Sequence, residues 1–233
     1  MQHGFRRTEA ARHRASDEGG ISGMIRGTKN LLAGLHWLAF VALLSGPALA
    51  QESVYTDLDF DACETLAEDV IGVSLKCEGY EDYPVYLKEG DIRQSVIFGQ
   101  VDRELIDGGF ESFAAFNHVN TGIEWRLDEG GRPFAAILRW FINNPGPDGS
   151  STRQGRGEIL VVSKVATQGD GGSCFVAMVD AKANPKANEL ARQAADTEAA
   201  DFACGMNEPQ WIGKRGDLVS ERTFSWPEGY VVE

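Results

Sequence analysis

Histidine is the first residue type to consider, because imidazole side chains bind zinc and act as general bases in many hydrolases. The chain has four histidines, His3, His13, His36 and His118, and only His118 follows the signal-peptide cleavage site predicted below. A zinc site with two or three imidazole ligands is therefore excluded for the exported domain. A Ser–His–Asp triad would depend on His118 alone, and no G-x-S-x-G sequence accompanies it. We expect His118 to be a surface or loop residue.

Four carboxylates near the start of the exported domain have the spacing of a calcium-binding loop. Asp57, Asp59, Asp61 and Glu68 correspond to ligand positions 1, 3, 5 and 12 of such a loop. Its sixth position requires glycine for a sharp turn, and Ala62 stands there instead. Alternation along a strand, followed by a helix cap, explains the same pattern, so we predict no metal site here.

Charged and aromatic residues alternate in two neighbouring segments farther along the chain. Glu124, Trp125 and Arg126, with Arg139 and Trp140, are the candidate residues for a binding face that could hold a sugar. The alternative is purely structural: a Glu/Arg face exposed to solvent, with the tryptophans packed inside as cross-strand partners. No carboxylate pair for glycoside hydrolysis can be selected among so many acidic residues. The chain has no P-loop and no G-x-G-x-x-G sequence, and we predict no cofactor.

The four cysteines are Cys63, Cys77, Cys174 and Cys204. An even number in an exported chain predicts two disulfides, for which three connectivities exist. Proximity in the sequence favours Cys63–Cys77 and Cys174–Cys204. The lack of C-x-x-C spacing argues against a redox pair or a zinc site.

A secretory signal peptide is predicted over residues 24–50. Arg26 and Lys29 form its basic start, an apolar segment follows over 31–44, and a small-residue exit ends at Ala50. The apolar segment is too short for a permanent transmembrane helix. Residues 1–23 are either an unstructured leader or the product of a misassigned start codon. The pattern places the mature protein in the periplasm or outside the cell, as one domain over residues 51–233.

The charge of the exported domain narrows its possible partners. Residues 51–233 contain 16 basic and 32 acidic residues, a net charge near −16. Such a surface repels nucleic acids and anionic lipids, so we predict neither nucleic-acid binding nor stable membrane insertion after signal cleavage. The expected partner is an unknown protein or envelope component.

The exported domain is predicted to be α+β: a mainly antiparallel sheet with a C-terminal helix packed on one face, and two disulfides. Extended runs separated by turn residues predict the sheet, with the clearest β-hairpin over residues 123–142. Asn184 and Pro185 predict the start of the helix, with Asn184 as its N-cap, and the helix would end near Thr197 or continue to Ala203. The other expected elements are a strand or extended lead-in at 55–60, strands at 70–77, 84–87, 92–98, 158–165 and 174–179, a short helix at 61–69, and a short helix or 3-10 segment at 110–116.

Several short strings in the domain resemble a group of small exported proteins of unknown function from alphaproteobacteria. The resemblance implies one exported domain with two disulfides and carries over no functional residue, because the group has no known activity. The strings are Cys77-Glu-Gly-Tyr80, Tyr83-Pro-Val85, Glu89-Gly-Asp-Ile-Arg93, Ile123-Glu-Trp-Arg126, Ile137-Leu-Arg-Trp140 and Val179-Asp-Ala181 with Asn184-Pro185.

Two functions remain open from the sequence. A non-enzymatic binding, inhibitor or envelope accessory protein is favoured, because there is one histidine, paired cysteines and no nucleophile or cofactor motif. The alternative is a carboxylate-dependent hydrolase that acts on envelope polysaccharide.

Overall fold

The computed structural model describes residues 51–228 and Tyr230; the predicted leader (1–23) and signal peptide (24–50) lie outside the described residues. The described part consists mostly of strands, with two α-helices and one 3-10 turn. No helix in this part of the chain is long and apolar enough to cross a membrane. In chain order the elements are β1 (Glu52–Asp57), a 3-10 turn (Phe60–Ala62), β2 (Glu64–Glu68), β3 (Gly72–Tyr80), β4 (Tyr83–Gly90), β5 (Arg93–Gly99), α1 (Arg103–Gly108), β6 (Phe110–Phe113), β7 (Asn117–Leu127), β8 (Pro133–Ile142), β9 (Gly157–Ala166), β10 (Phe175–Asp180), α2 (Ala187–Glu198), β11 (Gln210–Trp211) and β12 (Arg222–Ser225).

Ten strands form one sheet, whose main path runs β1-β7-β8-β9-β5-β4-β3-β2, with β10 and β11 attached beside β9. Neighbours on the main path are antiparallel except β5 and β9, which pair in parallel through Phe98 and Gly99. Gly99 has a φ of +93° at this junction, and a Cβ there would come within 2.2 Å of the Ala166 carbonyl oxygen. A glycine is therefore required where the two halves of the sheet join.

The two faces of β7, β8 and β9 bury different cores, because successive side chains of a strand point to opposite sides. One face, here the core face, buries Trp125 and Trp140 with Phe98, Phe113 and Phe175. The opposite face, here the α2 face, is covered by α2 through small residues at helical spacing. These are Ala187, Ala191, Ala194 and Ala195. The mainly antiparallel sheet and the helix on one of its faces were both predicted.

The predicted start of the C-terminal helix needs a correction. The N-cap of α2 is Lys186, two residues after Asn184. The Asn184 amide is occupied elsewhere: it donates to the carbonyl oxygens of Asp180 (2.9 Å) and Lys214 (2.7 Å). Asn184 therefore ties the C-terminal segment to the end of β10 instead of capping the helix.

The two short helices predicted at 61–69 and 110–116 are wrong. After one 3-10 turn the chain becomes β2, which pairs antiparallel with β3; residues 110–113 form β6, which pairs with β12. In both places pairing with a second strand outweighs the local helix signal. The helix in this region is α1, which ends just before β6.

Both disulfides form with the connectivity that proximity favours. Cys63 is bonded to Cys77, and Cys174 to Cys204. The first bond joins the start of β2 to β3. The second joins β10 to the segment after α2, so that both ends of that helix are attached to the sheet.

Candidate functional site

The candidate face of Glu124, Trp125, Arg126, Arg139 and Trp140 is divided between the two sides of the sheet. Trp125 and Trp140 are fully buried in the core and make edge-to-face contacts with other core aromatic rings at centroid distances of 5.6 and 5.4 Å. Glu124, Arg126 and Arg139 lie on the opposite, α2 face. The tryptophans therefore cannot stack on a ligand, and they pack inside as the alternative predicted. Its Glu/Arg face exposed to solvent is wrong for Glu124 and Arg126, which are buried under α2.

Glu124 and Arg126 lie under α2 and attach it to the sheet. Arg126 binds both carboxylate oxygens of Asp196 at 2.8 Å. Arg192 donates to Glu124 at 2.5 Å, and the Ser53 hydroxyl donates to the same carboxylate at 2.6 Å. Burial alone would raise the pKa of Glu124, but these hydrogen bonds outweigh it, so the pKa is lowered. Both residues are satisfied by protein partners, and their role is structural.

Burial raises the pKa of the Glu111 carboxyl group, against the opposing charge of Arg222, and no sequence pattern indicated its environment. It is 1% exposed, and it accepts hydrogen bonds from the Phe175 backbone N–H (2.8 Å) and Arg222 Nε (2.5 Å). Arg222 also pairs with exposed Glu208 at 3.0 Å. The carboxylate is thus satisfied by protein groups, and Glu111 joins β6, β10 and β12.

Arg139, the last member of the candidate face, lies beyond the end of α2. It donates to Glu158 at 3.0 Å, and Arg156 lies on the other side of the same carboxylate at 3.8 Å. Next to this group is a cavity of about 200 Å³, here called the His118 pocket, bordered by β7, the end of β8 and the loop before β9. His118 is partly exposed and borders this cavity from β7, so it lies on a strand and not in a loop.

A second candidate site is apolar and lies at one end of the sheet. Four large apolar side chains are exposed there: Val70 (100%), Ile71 (76%), Ile92 (61%) and Phe116. We call this set the apolar tip. Val70 and Ile71 form the β2–β3 turn, and Ile92 is in the β4–β5 turn. Strands β3 and β4 are paired next to these turns, so the two turns lie side by side.

Backbone contacts fix both turns of the apolar tip. The Asp69 carboxylate accepts the backbone N–H groups of Ile71 (2.9 Å) and Gly72 (2.8 Å). The Ile92 carbonyl oxygen accepts the backbone N–H of Asn117 at 3.1 Å, which brings the adjacent Phe116 against the β4–β5 turn. The apolar side chains are therefore presented on an ordered backbone.

A groove of about 470 Å³ lies beside the apolar tip, between the β2–β3 hairpin and α1. Its apolar walls include Leu66, Val73, Ile106 and Phe110. Lys88 lies in the groove and donates to the carbonyl oxygens of Asp107 (3.0 Å) and Gly109 (2.8 Å). Burial lowers the pKa of Lys88. A convex apolar tip next to a concave groove is a shape that a protein surface can complement.

Metal binding has no support in the described part of the chain, where no group of three or more His, Cys, Asp or Glu side chains is arranged to hold an ion. The calcium-loop spacing at 57–68 is divided between β1, the 3-10 turn and β2.

Comparison of the chain with protein-family models, curated proteins and solved structures found no match.

Proposed function

We propose that this protein is exported to the periplasm or the cell exterior and works without catalysis, by binding a protein partner through the apolar tip. The observation that carries the proposal is Ile92. This exposed β-branched residue has a φ of +58°, a left-handed conformation that is unfavourable for such side chains.

Ile92 occupies a position of the β4–β5 turn that favours glycine. Asp91 and Ile92 both have positive φ, and they connect strands that pair directly on either side of them. Turns of this kind favour Asn-Gly or Asp-Gly, so glycine is the residue expected at position 92. An isoleucine there costs about 1–3 kcal/mol in backbone strain, and its largely exposed side chain returns little of that cost through packing. Contact with a partner would bury this side chain and offset the cost of the strained backbone.

Charge around the apolar tip favours a protein partner over a lipid surface. Glu68, Asp69, Glu89 and Asp91 are exposed next to the apolar residues. Together with the overall negative charge, they repel anionic membranes and a second copy of the chain. The partner that fits has an apolar depression surrounded by basic residues and a projection that enters the adjacent groove.

Two observations support export and a non-catalytic role. Both cysteine pairs are disulfide-bonded, which is typical of proteins that fold in an oxidising compartment. The hydrolase alternative needs free carboxylates, whereas the carboxylates of Glu111 and Glu124 are both satisfied by arginines within the fold. Glu111 is bound by Arg222 and Glu124 by Arg192.

Photo-crosslinking in the cells that make the protein tests this proposal. A photoreactive amino acid is placed at Val70 or at Ile92, and matched controls carry it at Tyr55 or Phe224, which are exposed apolar residues outside the tip. We expect both tip positions to crosslink to the same protein, which the control positions do not capture. A crosslink to lipid or to a second copy of the chain, or equal capture from all four positions, would overturn the proposal.

A further inference from the structure

The His118 pocket is unusual for so acidic a protein, because no carboxylate of the described residues lines it. Its lining includes His118, Asn143, Ser151, Thr152, Arg153 and Arg156. These side chains supply two permanent positive charges, an imidazole, an amide and two hydroxyls. They come from β7, from the end of β8 and from the loop before β9, so they surround the cavity from several directions.

We propose that the His118 pocket binds a tetrahedral oxyanion, phosphate or sulfate, either free or as an ester. Guanidinium groups bind such anions through paired N–H donors. A cavity of about 200 Å³ has room for a group of this size. Donors on several sides match the oxygens of a tetrahedral ion better than those of a planar carboxylate.

The Arg156 side chain is already held in place without using all of its donors. Its guanidinium stacks on the Phe141 ring at 4.0 Å from the centroid, and its Nε is buried without a hydrogen-bond partner in the described residues. The nearest carboxylate oxygen, of Glu158, is 3.8 Å from Nη2, and Glu158 is bound more closely by Arg139. The terminal nitrogens of the Arg156 guanidinium therefore have no carboxylate oxygen closer than 3.8 Å in the described residues, and they are the groups that would donate to an anion in the cavity.

The loop that carries Arg153 and Arg156 is held by hydrogen bonds to its backbone. The Lys182 ammonium donates to the carbonyl oxygens of Arg153 (3.4 Å), Gln154 (2.9 Å) and Arg156 (3.0 Å). Asn144, which also lines the pocket, donates to the carbonyl oxygens of Gly155 and Leu218. These hydrogen bonds hold the backbone around the pocket in place, which reduces the entropy lost on binding.

His118 reports on the occupancy of the pocket. Burial and the positive charge of Arg156 lower its pKa, and Glu89 acts in the opposite direction. The other charged groups near it are Arg153 in the pocket, and Arg139 with Glu158 on the neighbouring strands. An anion bound between His118 and Arg156 would favour the imidazolium and raise this pKa, by about one unit for a close opposite charge.

The test is an NMR titration of the His118 ring proton, identified by its loss in His118→Gln. The pKa is measured in chloride, phosphate, sulfate and acetate at equal ionic strength, so that screening is the same in each. We expect phosphate and sulfate to raise the pKa of His118 by about one unit, with acetate and chloride indistinguishable. Equal pKa values in all four salts, or an equal shift with acetate, would overturn the proposal.

Variants and an ester distinguish a defined site from a general charge effect. Arg156→Gln should remove the response to phosphate, and Arg153→Gln, at an exposed loop position, should weaken it without affecting folding. Arg132→Gln, in the distant β7–β8 turn, is the matched control and should respond like the unmodified protein. Glucose 6-phosphate acting at lower concentration than inorganic phosphate would identify an ester as the ligand, and the reverse order would identify the free ion. A response that persists in Arg156→Gln would mean an adventitious ion only.

Discussion

Replacing Arg222 with methionine tests how the buried carboxylate of Glu111 stabilises the C-terminal strand β12. The Arg222 side chain is 9% exposed and that of Glu111 is 1% exposed, and methionine retains much of the apolar stem. Removing one partner of a buried ion pair costs about 3–5 kcal/mol, because the remaining charge is buried without compensation. We expect Arg222→Met to lower the free energy of unfolding by about this amount at pH 8.

The loss should depend on pH in a defined direction. The pKa of Glu111 is raised above 4.5, first by burial and against the opposing charge of Arg222. Between pH 4.5 and the folded-state pKa, the folded protein binds more protons than the unfolded chain, so stability falls as pH rises. Without Arg222 the pKa of Glu111 rises further and this fall becomes larger. At pH 4, where Glu111 is largely protonated, the difference between the two proteins should shrink.

Urea denaturation followed by tryptophan fluorescence measures these free energies at pH 4 and pH 8. Glu111→Gln combined with Arg222→Met should recover part of the loss at pH 8, because no buried charge remains. Arg132→Met, in an exposed ion pair with Asp128, is the control and should cause only a small change. If Arg222→Met lowers the free energy of unfolding no more than the control does, or by the same amount at both pH values, the buried Arg222–Glu111 pair does not stabilise β12 in this way.

Three further predictions concern the helix, the apolar tip and the longer disulfide. Glu124→Gln should lower the free energy of unfolding at pH 7 by about 1–3 kcal/mol. Because the pKa of Glu124 is lowered from 4.5, the carboxylate stabilises the fold above that pH, and this stabilisation is lost on acidification. The free energies of the two proteins, measured by urea denaturation, should therefore converge at low pH. Ile92→Gly should raise the free energy of unfolding by about 1 kcal/mol, since relief of strain exceeds the entropy cost of glycine, and a fall of that size would argue against strain at this turn. Replacing Cys174 and Cys204 by serine should cost about 0.6 kcal/mol more than removing the other disulfide, because its loop is twice as long, and equal melting temperatures for the two variants would contradict this.

Local sequence signals predicted the elements whose pattern is local. The β7–β8 hairpin was predicted because its strands are adjacent in sequence, and α2 because Asn184 and Pro185 mark a helix start close to the observed N-cap, Lys186. The segment at 110–116 was predicted wrongly for the opposite reason: strand β6 pairs with β12, more than a hundred residues away, and no local pattern encodes that contact. At 61–69 the partner is the next strand, β3, and pairing with it outweighs the local helix signal.

The candidate site was harder to predict than the fold. Trp125 and Glu124 are adjacent in sequence, and adjacent residues of a strand point to opposite faces, so a single face could not contain both. The apolar tip was not predicted, because Val70, Ile71 and Ile92 are β-branched and fell within the strands predicted at 70–77 and 92–98. The structure places them in turns, where polar residues or glycine are typical. The His118 pocket was not predicted either, because its residues come from separate segments of the chain and meet only in the folded structure.

Binding of a protein partner through the apolar tip is tested by the affinity of the purified protein for the partner identified by crosslinking. Isothermal titration calorimetry would compare the unmodified protein with Val70→Ser/Ile71→Ser and with Phe224→Ser, which removes an exposed apolar side chain away from the tip. Two buried aliphatic side chains contribute about 1.5–3 kcal/mol each, so we expect the tip variant to bind at least about 100-fold more weakly and the control to bind normally. Equal affinity of the tip variant and the control would mean that the apolar tip does not contact the partner.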